Sequence, residues 1–174
     1  MTGKKTPPAL RLARWTVTSG SNVQSRGAVV IEAGERHWQA SATGNGAVDA
    51  LYRAVDGALE EILGGHPRLV AYDVHAVAQG PDAEGEVSVS ILPPASAMGE
   101  RGDGRYAGRS RGTNIIAASI EAYIDAINGL LAQASWAAAP ATAGARQPAG
   151  SPQHDHRAEL DQEAAHDPTR WFDR

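Results

Sequence analysis

Apolar residues alternate with polar ones over most of the first 130 residues, and twice the spacing switches to three and four. Period-two alternation is the signature of a half-buried strand, and period 3.6 that of an amphipathic helix. Leu10 to Ser19 reads as a strand with Ala13, Trp15 and Val17 on one face. Ala28 to Glu32 is a short β-branched run and predicts a second strand. Ala33-Gly34 supplies a turn, and Glu35 to Thr43 returns with Trp38, Ala40 and Ala42 alternating, so these two strands form a hairpin. The periodicity then predicts a helix over Ala47 to Leu63, with Val48, Leu51, Val55, Leu59 and Ile62 in one stripe. Gly64-Gly65 stops it and Pro67 lies just beyond, as expected at a helix C-terminus.

The same order of elements returns. Leu69 to Gln79 predicts a long strand with Tyr72, Val74, Ala76 and Ala78 on one face, closed by Gly80-Pro81-Asp82. Glu86 to Leu92 alternates through Val87, Val89 and Ile91. A Pro- and Gly-bearing loop, Pro93 to Asp103, leads to a weaker strand over Arg105 to Ser110. A second helix is predicted from Thr113 to Ser135, with Ile116, Ile120, Tyr123, Ile124, Ile127 and Leu131 as its stripe.

The fold class is therefore α+β, built from two pseudo-repeated βββα units. Neither unit has enough strands to bury its helix stripe alone, so the two pack into one domain, residues 9–136. Such a domain makes a cleft between its halves. Residues 137–174 form a tail: Ala, Pro and Gly dominate to Pro152 without periodicity, a disordered linker by composition, and charges follow. Asp155 to His166 predicts a short, frayed helix. Trp171 and Phe172 near the end read as disorder or as a docking peptide.

Composition narrows the chemistry. The 174 residues carry a formal charge of −4, with no strong field of one sign, which argues against nucleic acid as a partner. Arg101, Arg105, Arg109 and Arg111 form a basic run, but Glu100 and Asp103 interrupt it, as in a solvated loop and strand edge. There is no cysteine, hence no disulfide framework, thiolate metal site or cysteine nucleophile, which fits a reducing cytoplasm. No apolar run is long enough to span a bilayer, and Met1 to Pro8 has no signal-peptide core. Met1 and its short polar lead suggest a complete reading frame. No Ser/His/Asp order, P-loop or dinucleotide fingerprint appears, and no cofactor is predicted. His37, His66 and His75 are scattered. His154-Asp155-His156 lies in the Pro/Gly-flanked tail, where a metal would lack further ligands, so no metal site and no catalytic residue is predicted.

The strand-to-helix junctions are the chemically interesting places. Gly44-Asn45-Gly46 precedes the first helix, and Asp49 falls in its first turn. An exposed helix start offers unpaired N–H groups and partial positive charge, and can hold a carboxylate or phosphate. Equally, Gly46 and Asp49 can simply cap the helix and offset its dipole. The second junction is Gly108 to Gly112, leading to Asn114.

Three ordered pieces resemble the C-terminal regulatory domain of the α-isopropylmalate synthase family, which includes citramalate and homocitrate synthases. They are Arg14-Trp15-Thr16-Val17-Thr18-Ser19-Gly20, then Gly44-Asn45-Gly46-Ala47-Val48-Asp49-Ala50-Leu51-Tyr52, then Ile115-Ile116-Ala117-Ala118-Ser119 with Ala122-Tyr123 and Ala126-Ile127-Asn128. Tyr72 to Val77 and Gly80 to Gly85 fall between them in the same order. The resemblance covers about Leu10 to Leu131. The chain departs from the family at Ala47, where Pro is usual, at Ser110, where a Gly is usual, at Asn114, where Asp is usual, and at Ala117, where an acid is common.

The resemblance implies a domain that dimerises, senses an end-product amino acid (usually leucine) between its units, and inhibits a distant catalytic barrel. The effector residues it implies are Gly44, Asn45, Gly46, Asp49, Leu51, Tyr52, Val55, Gly108, Asn114 and Ser119. Leu51, Tyr52 and Val55 would line an apolar pocket, with core packing as the alternative for Leu51 and Val55. Tyr52 lies beside the main stripe, which favours it for the pocket. The chain is too short for a (β/α) barrel, so catalysis alone is not expected. Three readings stay open: a regulatory and dimerisation module of branched-chain amino acid biosynthesis, the non-catalytic subunit of a split synthase, or a dimerisation module without effector.

Overall fold

The structure, a computed structural model, describes residues 8–80, 82–95 and 104–132. The elements run β1 (Arg11–Gly20), β2 (Val23–Ala33), β3 (Arg36–Gly44), α1 (Ala47–Leu63), β4 (Arg68–Ala76), β5 (Gly85–Leu92), β6 (Tyr106–Gly112) and α2 (Ile115–Leu131). They form two antiparallel sheets, β1-β2-β3 and β4-β5-β6, each followed by its helix. The βββα–βββα order read from the hydrophobic pattern is the architecture found. The tail, the docking peptide and the His154-Asp155-His156 motif lie outside the described residues.

Local chemistry accounts for the element ends. Gly34, at φ 63°, takes the left-handed position of the β2–β3 turn, where a Cβ would be strained. Ala33 pairs with Arg36, so the turn residues are Gly34 and Glu35, one position later than the sequence suggested. Gly64, at φ 67°, ends α1 in the left-handed conformation and donates its N–H to the Glu60 carbonyl at 2.8 Å. At the start of α2 the Asn114 side chain accepts from the Ile116 and Ala117 N–H groups at 3.1 and 3.2 Å.

Packing follows the alternation. Val29 and Ile31 of β2 and Val87, Val89 and Ile91 of β5 are buried beneath the helices, which contribute Leu51, Val55 and Leu59 from α1 and Ile120, Ile127 and Leu130 from α2. Full burial of each such side chain is worth about 1.5–3 kcal/mol. The helices also meet each other: the rings of Tyr52 and Tyr123 stack 4.3 Å apart and 16° from parallel. One core thus serves both units. The entry to β1 is tied down by Asn128 of α2, which accepts from the Leu10 N–H and donates to the Leu10 carbonyl, both at 2.8 Å.

Two strands differ from their sequence reading. A register shift between Leu12 and Arg14 turns Ala13 outward, so Leu12, Trp15 and Val17 share the inner face. β4 ends at Ala76, leaving Ala78 and Gln79 beyond it, because the chain bends into a loop held by the Val77 N–H to the Glu84 carbonyl.

Candidate functional site

The first strand-to-helix junction is built from Gly44, Asn45, Gly46 and Asp49. Gly44 ends β3 opposite Ser25. A Cβ there would come within 2.5 Å of both the Ala50 nitrogen and an Asp49 carboxylate oxygen, so glycine lets strand and helix start approach closely. Gly46 is the N-cap, in extended conformation with φ −157°, and offers no side-chain oxygen. Asp49 instead reaches back from the first turn to the residue before the cap: its Oδ2 accepts the Asn45 N–H at 2.9 Å, and both oxygens lie 3.1 Å from Arg53 Nε. The Asn45 N–H, followed by Arg53 and against some desolvation, holds the Asp49 carboxyl below its ordinary range. The helix start is thus already offset by the chain's own carboxylate, as the capping alternative expects.

The second junction is arranged differently from the sequence expectation. Gly108 lies inside β6 opposite Val89, not at the helix start. A Cβ on it would come within 2.0 Å of the Ala122 carbonyl oxygen and 2.3 Å of the Ala126 nitrogen, so it marks close contact of β6 with the second and third turns of α2. The counterpart of Gly44 is Gly112, the last residue of β6, and the counterpart of Gly46 is Asn114.

Leu51 and Val55 are fully buried in the core. Tyr52 is also buried, and its hydroxyl donates to the Ser119 carbonyl at 3.0 Å. Ser119 donates its own hydroxyl to the Ile115 carbonyl at 2.6 Å, which leaves Tyr72 as the donor in the 2.8 Å bond between Tyr72 Oη and Ser119 Oγ. The Tyr72 ring meets that of Tyr52 edge-on, with centroids 6.4 Å apart. Tyr123 donates to Asp56 Oδ1 at 2.6 Å. Burial pushes the Asp56 carboxyl up, opposed by the Tyr123 hydrogen bond and by the nearby His66 and Arg53 charges. His66 stands 3.7 Å from both Asp56 and Glu60. Burial also moves both the Tyr52 and Tyr123 phenols above their ordinary range.

The structure therefore brings Tyr52 and Ser119 together and keeps Gly44, Asn45, Gly46 and Asp49 at one junction; Asn114 caps the helix that carries Ser119, and Gly108 packs against the second and third turns of that helix. Sequence reasoning missed the polar members Tyr72, Tyr123 and Asp56. The available signal was spacing: Asp56 follows Tyr52 by one helical turn and directly follows the buried Val55, so its carboxylate lies at the margin of an apolar stripe. Among the described residues no cluster of three or more His, Asp or Glu side chains could hold a metal, and no helix is long and apolar enough to cross a membrane.

Two sheet-and-helix units sharing a core, with glycine- and Asn-capped helix starts and a tyrosine-lined helix contact, define a βββα-repeat domain. The sequence pattern of the LeuA allosteric (dimerisation) domain matches residues 1–131, and the chain belongs to that family. Similar proteins include 2-isopropylmalate synthases of Salinibacter ruber, 37% identical over 72% of this chain, and of Heliobacterium modesticaldum, 34% identical over 72%. That of Sediminispirochaeta smaragdinae is 41% identical over 56%. These alignments take in 21%, 22% and 16% of the respective synthases, so the chain spans about a fifth of the length of the relatives it matches.

Proposed function

We propose that this domain is an amino-acid-responsive regulatory and dimerisation module serving a 2-isopropylmalate synthase-type catalytic part, with leucine or a closely related amino acid as effector. The observation that carries this reading is the match to the LeuA allosteric domain across both βββα units, including the glycine junction that opens α1. An amino acid offers a carboxylate, which unpaired helix N–H groups can hold, and a branched apolar side chain. Gly44, Asn45 and Gly46 would form the wall nearest the ligand, with Asp49 next to it. Asn114 and Ser119 would act from α2, and Tyr52 would join the two helix contributions. Leu51, Val55 and Gly108 would act through the packing that holds these elements in place. The domain would work as a homodimer in the cytoplasm and transmit occupancy to a catalytic part on the same or another chain.

Calorimetric titration of the protein with leucine, then isoleucine, valine and lysine, tests the reading. Saturable binding of one of them is the expected result. Absence of binding by all four would refute the effector role and leave dimerisation alone. Gly46→Ala is the informative variant, because a Cβ there meets nothing within 4 Å and the backbone is extended. A fall in affinity without a matching loss of fold would support the junction as the ligand's place. Unchanged affinity would remove it.

A further inference from the structure

The two units are unequally covered. In the first, both helices reach β1, and Leu12, Trp15 and Val17 pack half-buried against the core. In the second, Leu69, Tyr72 and Val74 hold the corresponding inner positions of β4, opposite Ile91, Val89 and Val87. Those β5 partners are 0–1% exposed, whereas Leu69, Tyr72 and Val74 are 42%, 38% and 42% exposed. Neither helix backbone lies against β4, and Tyr72 reaches across to Ser119 and Tyr52. The alternation in β4 is that of a strand with one buried face: Arg68, Ala71, Asp73 and His75 take the other side. The described residues of its own chain leave more than a third of each apolar side chain on this side exposed.

We propose that this inner face of β4 is the surface on which a second copy of the chain docks, about a twofold axis passing near Tyr72. The inference rests on the dimerisation reading of the family and adds the location. A twofold contact sets each residue against the same patch of its partner, so the patch must be self-complementary. An uncharged face of Leu, Tyr and Val satisfies that requirement. The opposite face of the same sheet carries Arg68, Asp73, His75, Glu86, Arg109 and Arg111, charged groups that a contact there would have to desolvate. Exposed apolar side chains grouped on one strand face mark interaction sites in general. The placement also has a mechanical consequence. Covering the face packs Tyr72, whose hydroxyl is bonded to Ser119 of α2 and whose ring touches Tyr52 of α1. Association and the helix–helix contact then share one side chain.

Sedimentation velocity on the full chain at micromolar concentration tests this with two charge variants on adjacent residues of β4, Val74→Lys on the inner face and Asp73→Lys on the outer. The expected result is a dimeric wild type, dimerisation weakened about 100-fold or more by Val74→Lys, and a dimer retained in Asp73→Lys. Far-UV circular dichroism separates lost association from lost fold. If Val74→Lys does not fold, Leu69→Ser substitutes for it, with dimerisation weakened about tenfold. A dimer that survives Val74→Lys, or one lost only in Asp73→Lys, overturns the location while leaving family dimerisation intact. A monomeric wild type overturns both.

Discussion

Gly108→Ala is the sharpest test of how the second unit is packed. The added methyl would start 2.0 Å from the Ala122 carbonyl oxygen and 2.3 Å from the Ala126 nitrogen. Both are helix backbone atoms, so no rotamer change relieves the overlap. Restoring an ordinary contact of about 3.2 Å requires α2 to retreat from β6 by roughly 1 Å. That retreat loosens Tyr123, Ile127 and Leu130, which are buried on the same helix. Overpacking of this kind costs about 3 kcal/mol, offset by about 0.5 kcal/mol from the less flexible unfolded chain, for a net loss of about 2–3 kcal/mol. Gly108 does not sit at positive φ, so backbone strain adds nothing. Urea unfolding followed by circular dichroism reads the loss as a lower midpoint at unchanged slope. Gly85→Ala and Gly46→Ala calibrate it. The first overlaps the Cδ1 end of Ile115, which can rotate away, with its other neighbours at ordinary contact distance, and the second meets nothing within 4 Å. The expected order of destabilisation is Gly108 well above Gly85, with Gly46 at about 0.5 kcal/mol for the poorer N-cap. A Gly108→Ala protein as stable as Gly46→Ala would refute the close approach of β6 and α2.

Three other outcomes follow from the hydrogen bonds. Asn114→Ala removes the acceptor for two helix N–H groups and should cost about 1 kcal/mol in urea unfolding, whereas Asn114→Asp should preserve stability. Asn128→Ala frees Leu10 at both its N–H and its carbonyl, and hydrogen exchange at Leu10 should accelerate while exchange in the middle of α1 stays slow. Asp56, whose carboxyl is raised by burial, contributes stability fully below its unfolded value of about 3.8 and loses it as pH rises through the folded value, whereas Asp49, held low, contributes above that value and loses it as pH falls. Asp56→Asn keeps an acceptor for Tyr123 and should flatten the decline on the high-pH side; a decline as steep as in wild type would count against Asp56 as its source.

The helices and the order of elements were legible because each rests on periodicity and end signals that lie close together in sequence. Ala47 to Leu63 is the helix in both readings, since its stripe, Gly46 before it and Gly64 after it are all local. What escaped depends on pairing across the chain. The outward turn of Ala13 comes from a register shift against β2, which alternation within β1 does not encode. Gly108 reads as a junction residue because glycine is common at helix starts, but its neighbour is α2 two turns further on. At the candidate site, Tyr52 sits beside the stripe and so looks available to a ligand. In the fold the space beside it is filled by Tyr123, a contact between residues of different repeats. The part-exposed face of β4 was hidden for the converse reason: its alternation is that of a buried face, and only the positions of both helices reveal that neither backbone lies against it.

The helix–helix contact bears on the proposed regulation. Two apolar stripes can slide past each other at little cost, but Tyr52 to the Ser119 carbonyl and Tyr123 to Asp56 are directional bonds between α1 and α2. Each contributes about 1 kcal/mol net when made, and leaving a buried partner unsatisfied costs about 1–3 kcal/mol. The pair therefore favours one register of the helices over its neighbours by an amount comparable to the 1–3 kcal/mol typical of allosteric coupling. A module built on apolar packing alone would drift with ligand or partner, and one locked by many buried bonds would ignore them. Two tyrosines bridging the repeats, with a third joining them to the β4 face, set a register preference of that size, against which effector binding or association would act on the proposed reading.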